Sequence, residues 1–324
     1  MNSEPDELIV EGRWPRLDRF LQERIAGLSR SQLQKLIRSG DVLVNGQRVK
    51  AGQALADGDH VRVSRPISET TAERERDTPD PTVLFEDAHI VVVDKPAGLV
   101  AHRAEGYGGF ALADWLLARR PEVARLSGEP KRLGIVHRLD RDTSGVMVLA
   151  VSEMALLGLQ QAFRERRIDK TYLALALGCP EPEEGAIEAP LRRDSAERTK
   201  MAIVADGGRY ARSEYSVVAK TPRHSVLAVR LITGRTHQIR VHLAAIGHPV
   251  VGDRVYGHQS SGLASRQMLH AWRLGLRHPK TGESLQFMAG LPIDFRETMD
   301  SLGLRIDDGV VSAGYSVAHT LSEE

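Results

Sequence analysis

The nine residues HRLDRDTSG (137–145) crowd His137, Arg138, Asp140, Arg141 and Asp142 between two apolar runs. Ile135-Val136 lead into the stretch, and Val146-Met147-Val148-Leu149-Ala150 lead out of it. Apolar flanks of this length read as buried strand, so the charge must sit on a turn that a packed sheet holds. Asp-x-Thr-Ser-Gly is rich in residues that bond their own backbone, which suits a plain surface turn. A kinase catalytic loop needs His-Arg-Asp followed by an Asn. Here Leu139 separates Arg138 from Asp140, no such Asn follows, and Asp-Phe-Gly occurs nowhere. A glycosidase pair fits poorly as well: Asp140 and Asp142 would face the same way about 7 Å apart on a strand, whereas such carboxylates flank a sugar from opposite sides.

The chain of 324 residues is long enough for a large core and favours two domains over one. Its 44 basic and 43 acidic residues nearly cancel, so global charge says nothing about partners. Local charge says more. Between Arg13 and Lys50 nine basic residues stand against three acidic ones, while the last 24 residues carry one basic and four acidic. The single cysteine, Cys179, excludes an internal disulfide and a thiolate zinc cluster. His237, His242 and His248 lack a Glu-flanked pair, so no metal is expected. The opening MNSEPDELIVEGR lacks the layout of a secretory signal, and no apolar run approaches the roughly 20 residues of a membrane span. The expectation is a soluble, cytoplasmic protein.

Two shifts in composition divide the chain. SETTAERERDTPDP (68–81) is polar and ends in prolines, so residues 66–81 read as a linker. Residues 301–324 hold few large apolar side chains and are expected to lack structure. Before the linker, Leu17, Phe20, Leu21, Ile25 and Leu28 recur at helical spacing. Ser29 with Gln32 forms a capping-box pattern for a second helix that Gly40 should stop. In that helix Leu33, Leu36 and Ile37 share one arc, with Arg30, Lys35 and Arg38 beside it. Asn45-Gly46 marks a hairpin, and DGDHVRV another turn and strand.

After the linker, TVLFEDAHIVVVDKPAGLV suggests two strands ending in a turn. GVMVLAV, KTYLALALG, YARSEYSVVA and SVLAVRLITG are further strand candidates. Helices are expected at 110–119, 153–166 and 236–246. The layout is α+β, with a large, mostly antiparallel sheet over residues 82–300.

The block RLDRFLQER…LSRSQLQKLIRSGDVLVNGQRV, within residues 13–65, resembles the small RNA-binding domain of the S-four type. Helix register, the Gly40-Asp41 break and the hairpin fall in the order of that domain. The resemblance implies a small α+β module that binds structured RNA without chemistry of its own, with Arg30, Lys35 and Arg38 facing phosphate.

The second block is similar to the RluA-type pseudouridine synthases. HRLDRDTSG matches the family's signature. EDAHIVVVDKPAGLVAH, RIDKTYLALALG, ITGRTHQIRVHLAAIGHPVVGDRVYG and LHAWRL match its other segments in order, over about residues 82 to 295. What the resemblance implies is an isomerase that breaks the N-glycosidic bond of uridine, turns the uracil and rejoins it through carbon 5, with no cofactor. Asp140 holds the family's carboxylate position, as nucleophile or as base. Arg240 matches its basic partner, since a buried carboxylate is costly unless paired. Arg235 is a weaker candidate for the same role. Ile239, Leu243 and Ile246 are expected to form the apolar side of the 236–246 helix and leave Arg240 on another.

Tyr172 matches the active-site tyrosine, whose ring could stack on the uracil and whose hydroxyl could help remove the proton from carbon 5. His137, Arg138, Arg235, His237 and Lys95 are expected to contact substrate or RNA, with Arg138 holding open the space left by an everted base. The implied partner is RNA, with large-subunit ribosomal RNA first, and the chain is expected to act as a monomer. The alternatives are a synthase acting on transfer RNA and an inert RNA-binding or ribosome-assembly factor that keeps the fold.

Overall fold

The computed structural model describes residues 6–25, 30–63, 79–103, 109–127, 132–197, 199–257, 262–306 and 314–317. The chain divides into two compact units, Met1–Thr78 with Arg103–Phe110, and Pro79–His102 with Ala111–Glu324.

In the first unit, helices α1 (Leu17–Arg24) and α2 (Arg30–Ser39) cover a four-stranded antiparallel sheet ordered β1-β4-β2-β3. Its strands are β1 (Asp6–Ile9), β2 (Val42–Val44), β3 (Gln47–Arg48) and β4 (His60–Val63). The expected apolar arc is the core: Leu17, Phe20, Leu21, Ile25, Leu33 and Ile37 pack on Val42, Val44, Val61 and Val63. Asp18 is wholly buried and held by Arg16 Nε at 2.9 Å and Gln34 Nε2 at 2.7 Å, so the burial is compensated. α2 stops at Gly40, whose φ of +88° suits glycine, and Asp41 N returns to Leu36 O at 3.0 Å. The Asn45-Gly46 hairpin forms with both residues at positive φ. The unit starts before residue 13, because β1 pairs with β4 from Asp6 onward. Ser29 and Leu28, and residues 66–78 of the expected linker, lie outside the described residues.

The second unit is built on ten strands. The main path runs β5-β6-β7-β14-β8-β13-β12-β9, with β15 beside β14 and β16 beside β15. The strands are β5 (Thr82–Glu86), β6 (Ile90–Lys95), β7 (Ser144–Ala150), β8 (Asp169–Leu177), β9 (Glu184–Glu188), β12 (Arg212–Lys220), β13 (His224–Leu231), β14 (Leu269–Arg277), β15 (Ser284–Met288) and β16 (Gly314–Val317). A separate pair, β10 (Leu191–Arg193) and β11 (Met201–Ile203), stands apart. Among the described strands all pairings are antiparallel except β7 with β14, where His270 faces Ser144 and Ala271 faces Gly145. The fold is therefore mixed α+β and mostly antiparallel.

Every residue of β7 is buried, which explains its unbroken apolar run. β14 changes neighbours along its length. Its start pairs with β7, and after a register shift between Ala271 and Arg273 it pairs with β15. Helices α3 (Leu112–Arg119), α4 (Glu153–Arg164), α5 (Gln238–Ala245) and α6 (Ile293–Ser301) complete the unit. α4 is capped by Ser152, whose hydroxyl accepts from Ala155 N at 3.3 Å.

Two expectations are corrected. Within the tail expected to lack structure, Gly314–Val317 forms β16 against β15, because the edge of β15 offers ladder groups to any extended segment. On α5, Ile246 is 36% exposed while Gln238, Arg240 and His242 are buried. That helix is enclosed over most of its surface, so apolar spacing could not say which side faces inward.

Candidate active site

The stretch from His137 to Thr143 has no regular structure, yet its backbone is tied on every side. Lys95, at the end of β6, is wholly buried and donates to the carbonyls of Pro96 at 2.8 Å, Leu99 at 2.9 Å and Arg141 at 3.1 Å. Gly98 N reaches the same Arg141 carbonyl at 2.9 Å. Arg266 donates Nη1 to the Asp142 carbonyl at 3.0 Å and braces itself on Asp294 through Nε at 2.6 Å and Nη2 at 2.8 Å. Ser144 Oγ bonds His270 Nδ1 at 2.9 Å, while His270 Nε2 meets Ala289 O at 3.2 Å. Because a carbonyl only accepts, Nε2 carries the proton and Nδ1 accepts from the serine.

Gly145 lets β14 come this close. Its φ is +118°, and a Cβ there would stand 2.2 Å from the Ala271 carbonyl oxygen. Two buried cations and one glycine therefore fix the loop.

Asp140 projects from that loop into a cleft. Arg240 Nη1 donates to Asp140 Oδ2 at 3.0 Å. The same guanidinium gives Nε to Asp253 Oδ2 at 2.6 Å and Nη2 to Asp253 Oδ1 at 2.9 Å, a bidentate fork. Burial alone would push Arg240 below its ordinary pKa. The bond and charge of Asp253, with Asp140 added, more than offset it and hold the guanidinium above that value. Burial likewise works to raise Asp253, and Arg240 outweighs it to leave the carboxyl below its ordinary range. Asp253 Oδ1 also accepts from Val255 N at 2.8 Å and Tyr256 N at 3.0 Å.

His237 caps α5 with a left-handed φ of +56°. Its Nε2 stands 3.8 Å from Asp140 Oδ2, and its Nδ1 lies 2.9 Å from Tyr256 Oη. Tyr256 Oη accepts from Met201 N at 2.8 Å. Burial, working against Asp140, keeps the His237 pKa below its ordinary value. Tyr172, on β8 between β13 and β14, is 9% exposed and lines the cleft with Asp140. Burial first, and Asp140 second, raise its hydroxyl above the ordinary tyrosine value.

The cleft has two lobes that share Arg138, Asp140, Tyr172, Leu231 and Arg235. The larger, about 510 Å³, could admit a nucleotide. Asp140, Tyr172, Arg240, His237, Arg235 and Arg138 thus line one cleft, as their spacing in the sequence could not show. Arg138 is exposed at its side.

Of the other expected contacts, Lys95 lies outside the cleft and His137 lines its larger lobe. Lys95 is spent on three carbonyls behind the loop, and burial pushes its ammonium down to about 7. His137 stacks on Phe163 at 4.5 Å, and its Nε2 accepts from Val148 N at 3.1 Å. Burial holds it at about 3, so it stays neutral and offers no charge to phosphate. In the first unit Arg38 is exposed and bonds Gln34 O at 3.2 Å; the side chains of Arg30 and Lys35 lie outside the described residues.

Sequence reasoning missed Asp253, Tyr256, Arg266 and His270, although three of them lie in the quoted motifs. Only Asp253 carried a signal, a carboxylate directly after Gly252, whose φ is +76°.

A family model for RNA pseudouridylate synthase matches residues 89–245, and one for the S4 domain matches residues 15–61. An uncharacterized RNA pseudouridine synthase of Chloroflexus aurantiacus is 46% identical, covering 89% of this chain and 90% of that protein. A ribosomal large subunit pseudouridine synthase D of Nitrosomonas europaea is 38% identical, covering 89% of this chain and 84% of its own. Among solved structures, human RNA pseudouridylate synthase domain containing 4 superposes with a TM-score of 0.55 at 27% identity, covering 70% of this chain and 95% of that one.

Proposed function

The chain belongs to the RNA pseudouridylate synthase family, and from that premise we propose that it converts uridines of large-subunit ribosomal RNA to pseudouridine, with Asp140 as the essential carboxylate. The observation that carries the reading is the Arg240–Asp140 pair at 3.0 Å in a cleft that Tyr172 also lines. Intact pairing of a buried arginine with a reachable carboxylate argues against an inert factor that merely keeps the fold. The ribosomal substrate is supported by relatives, 38% identical, that are named ribosomal large subunit pseudouridine synthase D. No described helix is long and apolar enough to cross a membrane.

Two routes start from Asp140. In one its oxygen bonds to the anomeric carbon as the N-glycosidic bond breaks. In the other it takes a sugar proton as the same bond breaks, leaving a glycal. Arg240 Nη1, bonded to Asp140 Oδ2, orients the carboxylate that either route needs at its start. Tyr172 can take the carbon-5 proton only while passing its own on, because its raised pKa keeps the hydroxyl protonated. Asp140 is the neighbouring acceptor. Residues 13–65 form the RNA-docking module of this reading, and residues 82–300 the synthase; Arg38, with Arg48 and Lys50 lining a groove beside Ile37, supplies its described cations.

The test is conversion of a transcribed ribosomal RNA, read as a change of base without change of mass. Asp140→Asn should abolish conversion and leave RNA binding within about twofold. Turnover by Asp140→Ala would falsify the assignment. Mapping pseudouridines in a deletion strain tests the substrate: ribosomal RNA should lose one or more, and a loss confined to transfer RNA would redirect the reading.

A further inference from the structure

The larger lobe runs from Asp140 and Tyr172 to a wall that the chemistry above does not use. That wall is formed by Arg166, Lys170 and Arg235. Arg166 lies in the turn between α4 and β8, Lys170 at the start of β8, and Arg235 in the loop between β13 and α5.

Their positions are fixed from different directions. Arg166 has a left-handed φ of +61°, and its guanidinium sits over the ring of Tyr210 at 5.6 Å. Tyr210 O accepts from Arg235 Nε at 3.1 Å, so one residue braces both arginines. Lys170 Nζ lies beside Gly234, where a Cβ would stand 3.7 Å from it. Asp169, the carboxylate that acts on Lys170, is 76% exposed and shared with Arg230 at 3.3 Å, so it offsets the wall's charge only in part.

Lys170 and Arg235 are half-buried in the recess, Arg166 is exposed at its side, and the three cations repel one another. Burial depresses Lys170, with Asp169 opposing it and Arg166 and Arg235 adding to it; burial, then repulsion from Arg209 and Arg166, depresses Arg235. A solvated charged face would relieve that repulsion by turning outward. Here the recess keeps the charges together, which is costly in the empty protein and recovered when an anion enters.

We propose that this wall seats a backbone phosphodiester of the RNA strand, adjoining the nucleotide whose base enters beside Asp140 and Tyr172. The proposal rests on the reading of Asp140 as the site of uridine chemistry. A phosphodiester carries one charge over two oxygens, which suits an arginine fork and a lysine point charge acting together. The lobe is continuous with the uridine end, so a strand already held there would lay its next linkage against the wall. The first unit is not needed for this contact.

The probe is a fluorescent hexauridylate, together with versions in which each linkage in turn is a neutral methylphosphonate. Binding to the full chain is measured across a salt series for wild type, Lys170→Gln and Arg166→Gln, with melting curves to confirm folding. One linkage position should weaken wild-type binding by about tenfold, and the same substitution should cost the variants little. Each variant should lose roughly 0.7 from the log–log salt slope, the loss of one contact to a single strand. Equal slopes in variants and wild type, or a full methylphosphonate penalty in both variants, would overturn the proposal. Arg166→Gln is the second route to the same result if Lys170→Gln fails to fold. Because only binding is read, a wild type that binds this way yet converts no uridine would sink the enzymatic reading and leave the subsite standing.

Discussion

Asp253 takes two nitrogens of Arg240 and leaves only Nη1 to reach Asp140. The wholly buried carboxylate therefore aims the arginine, and the arginine aims the partly exposed one: side-chain exposure is 0% at Asp253 and 18% at Asp140. Asp253→Asn should cost about 3–5 kcal/mol of stability, because it strands a buried charge. Turnover should fall about 100-fold through misplacement of Arg240. Asp140→Asn should cost far less stability while stopping the reaction. Urea unfolding and single-turnover rates on the pair of variants check this. An Asp253→Asn protein as stable and active as wild type would show that something else aims Arg240.

Gly145→Ala should be among the most damaging single changes outside the cleft. The new Cβ would meet the Ala271 backbone at 2.2 Å, and φ of +118° is hostile to any side chain. Backbone cannot swing aside as a side chain can, so β7 and β14 must part. Loss of soluble protein, or a melting point lowered by 10 °C or more, is the expected result for a loss of several kcal/mol in a chain of this size. Gly262→Ala, with nothing within 4 Å and no left-handed φ, is the control that should differ little.

Acid should loosen the sheet through His270. Burial lowers its pKa to about 4, against an ordinary value near 6.5, so the folded state binds fewer protons than the unfolded one. Its contribution to stability is complete above the unfolded value and declines as pH falls from about 6.5 to 4. Across that window the slope should reach about 1.4 kcal/mol per pH unit from this group alone. His270→Gln should start less stable at pH 7 and show a shallower decline. Parallel wild-type and variant curves of unfolding free energy against pH would refute the assignment.

Tyr256→Phe should release the His237 tautomer. Tyr256 Oη already accepts from Met201 N, so its own proton is best spent on His237 Nδ1, leaving Nε2–H turned toward Asp140. Nitrogen chemical shifts should report Nε2–H in wild type and a mixture in the variant. Nδ1–H in the wild-type protein would contradict the arrangement.

Much of this was legible in the sequence where one period governed. Leu33 and Ile37 are core because α2 is amphipathic, and β7 is buried throughout because its apolar run is unbroken. Asn45-Gly46 forms its turn because both residues tolerate positive φ. Legibility failed where polar groups are satisfied inside. On α5, Gln238 bonds Thr233, Ser213 and the Arg212 carbonyl, and His242 bonds Ser213 and the Ala189 carbonyl, so both polar residues are core. Lys95 misled for the same reason. A lysine beside an apolar strand promises a contact with substrate, and only the three carbonyls around it reveal its work. Short strands such as β9 and β16 owe their form to a neighbour's edge, which no local pattern encodes.

The loop around Asp140 is fastened by residues far along the chain: Arg266 holds the Asp142 carbonyl across 124 positions, and His270 holds Ser144 across 126. A nascent chain emerging from the ribosome therefore carries the signature stretch long before it carries the fastenings. Until β14 has been made and docked, the loop that carries Asp140 lacks these two fastenings. The aim of Asp140 is therefore a property of the completed second unit, and the signature stretch alone does not hold it.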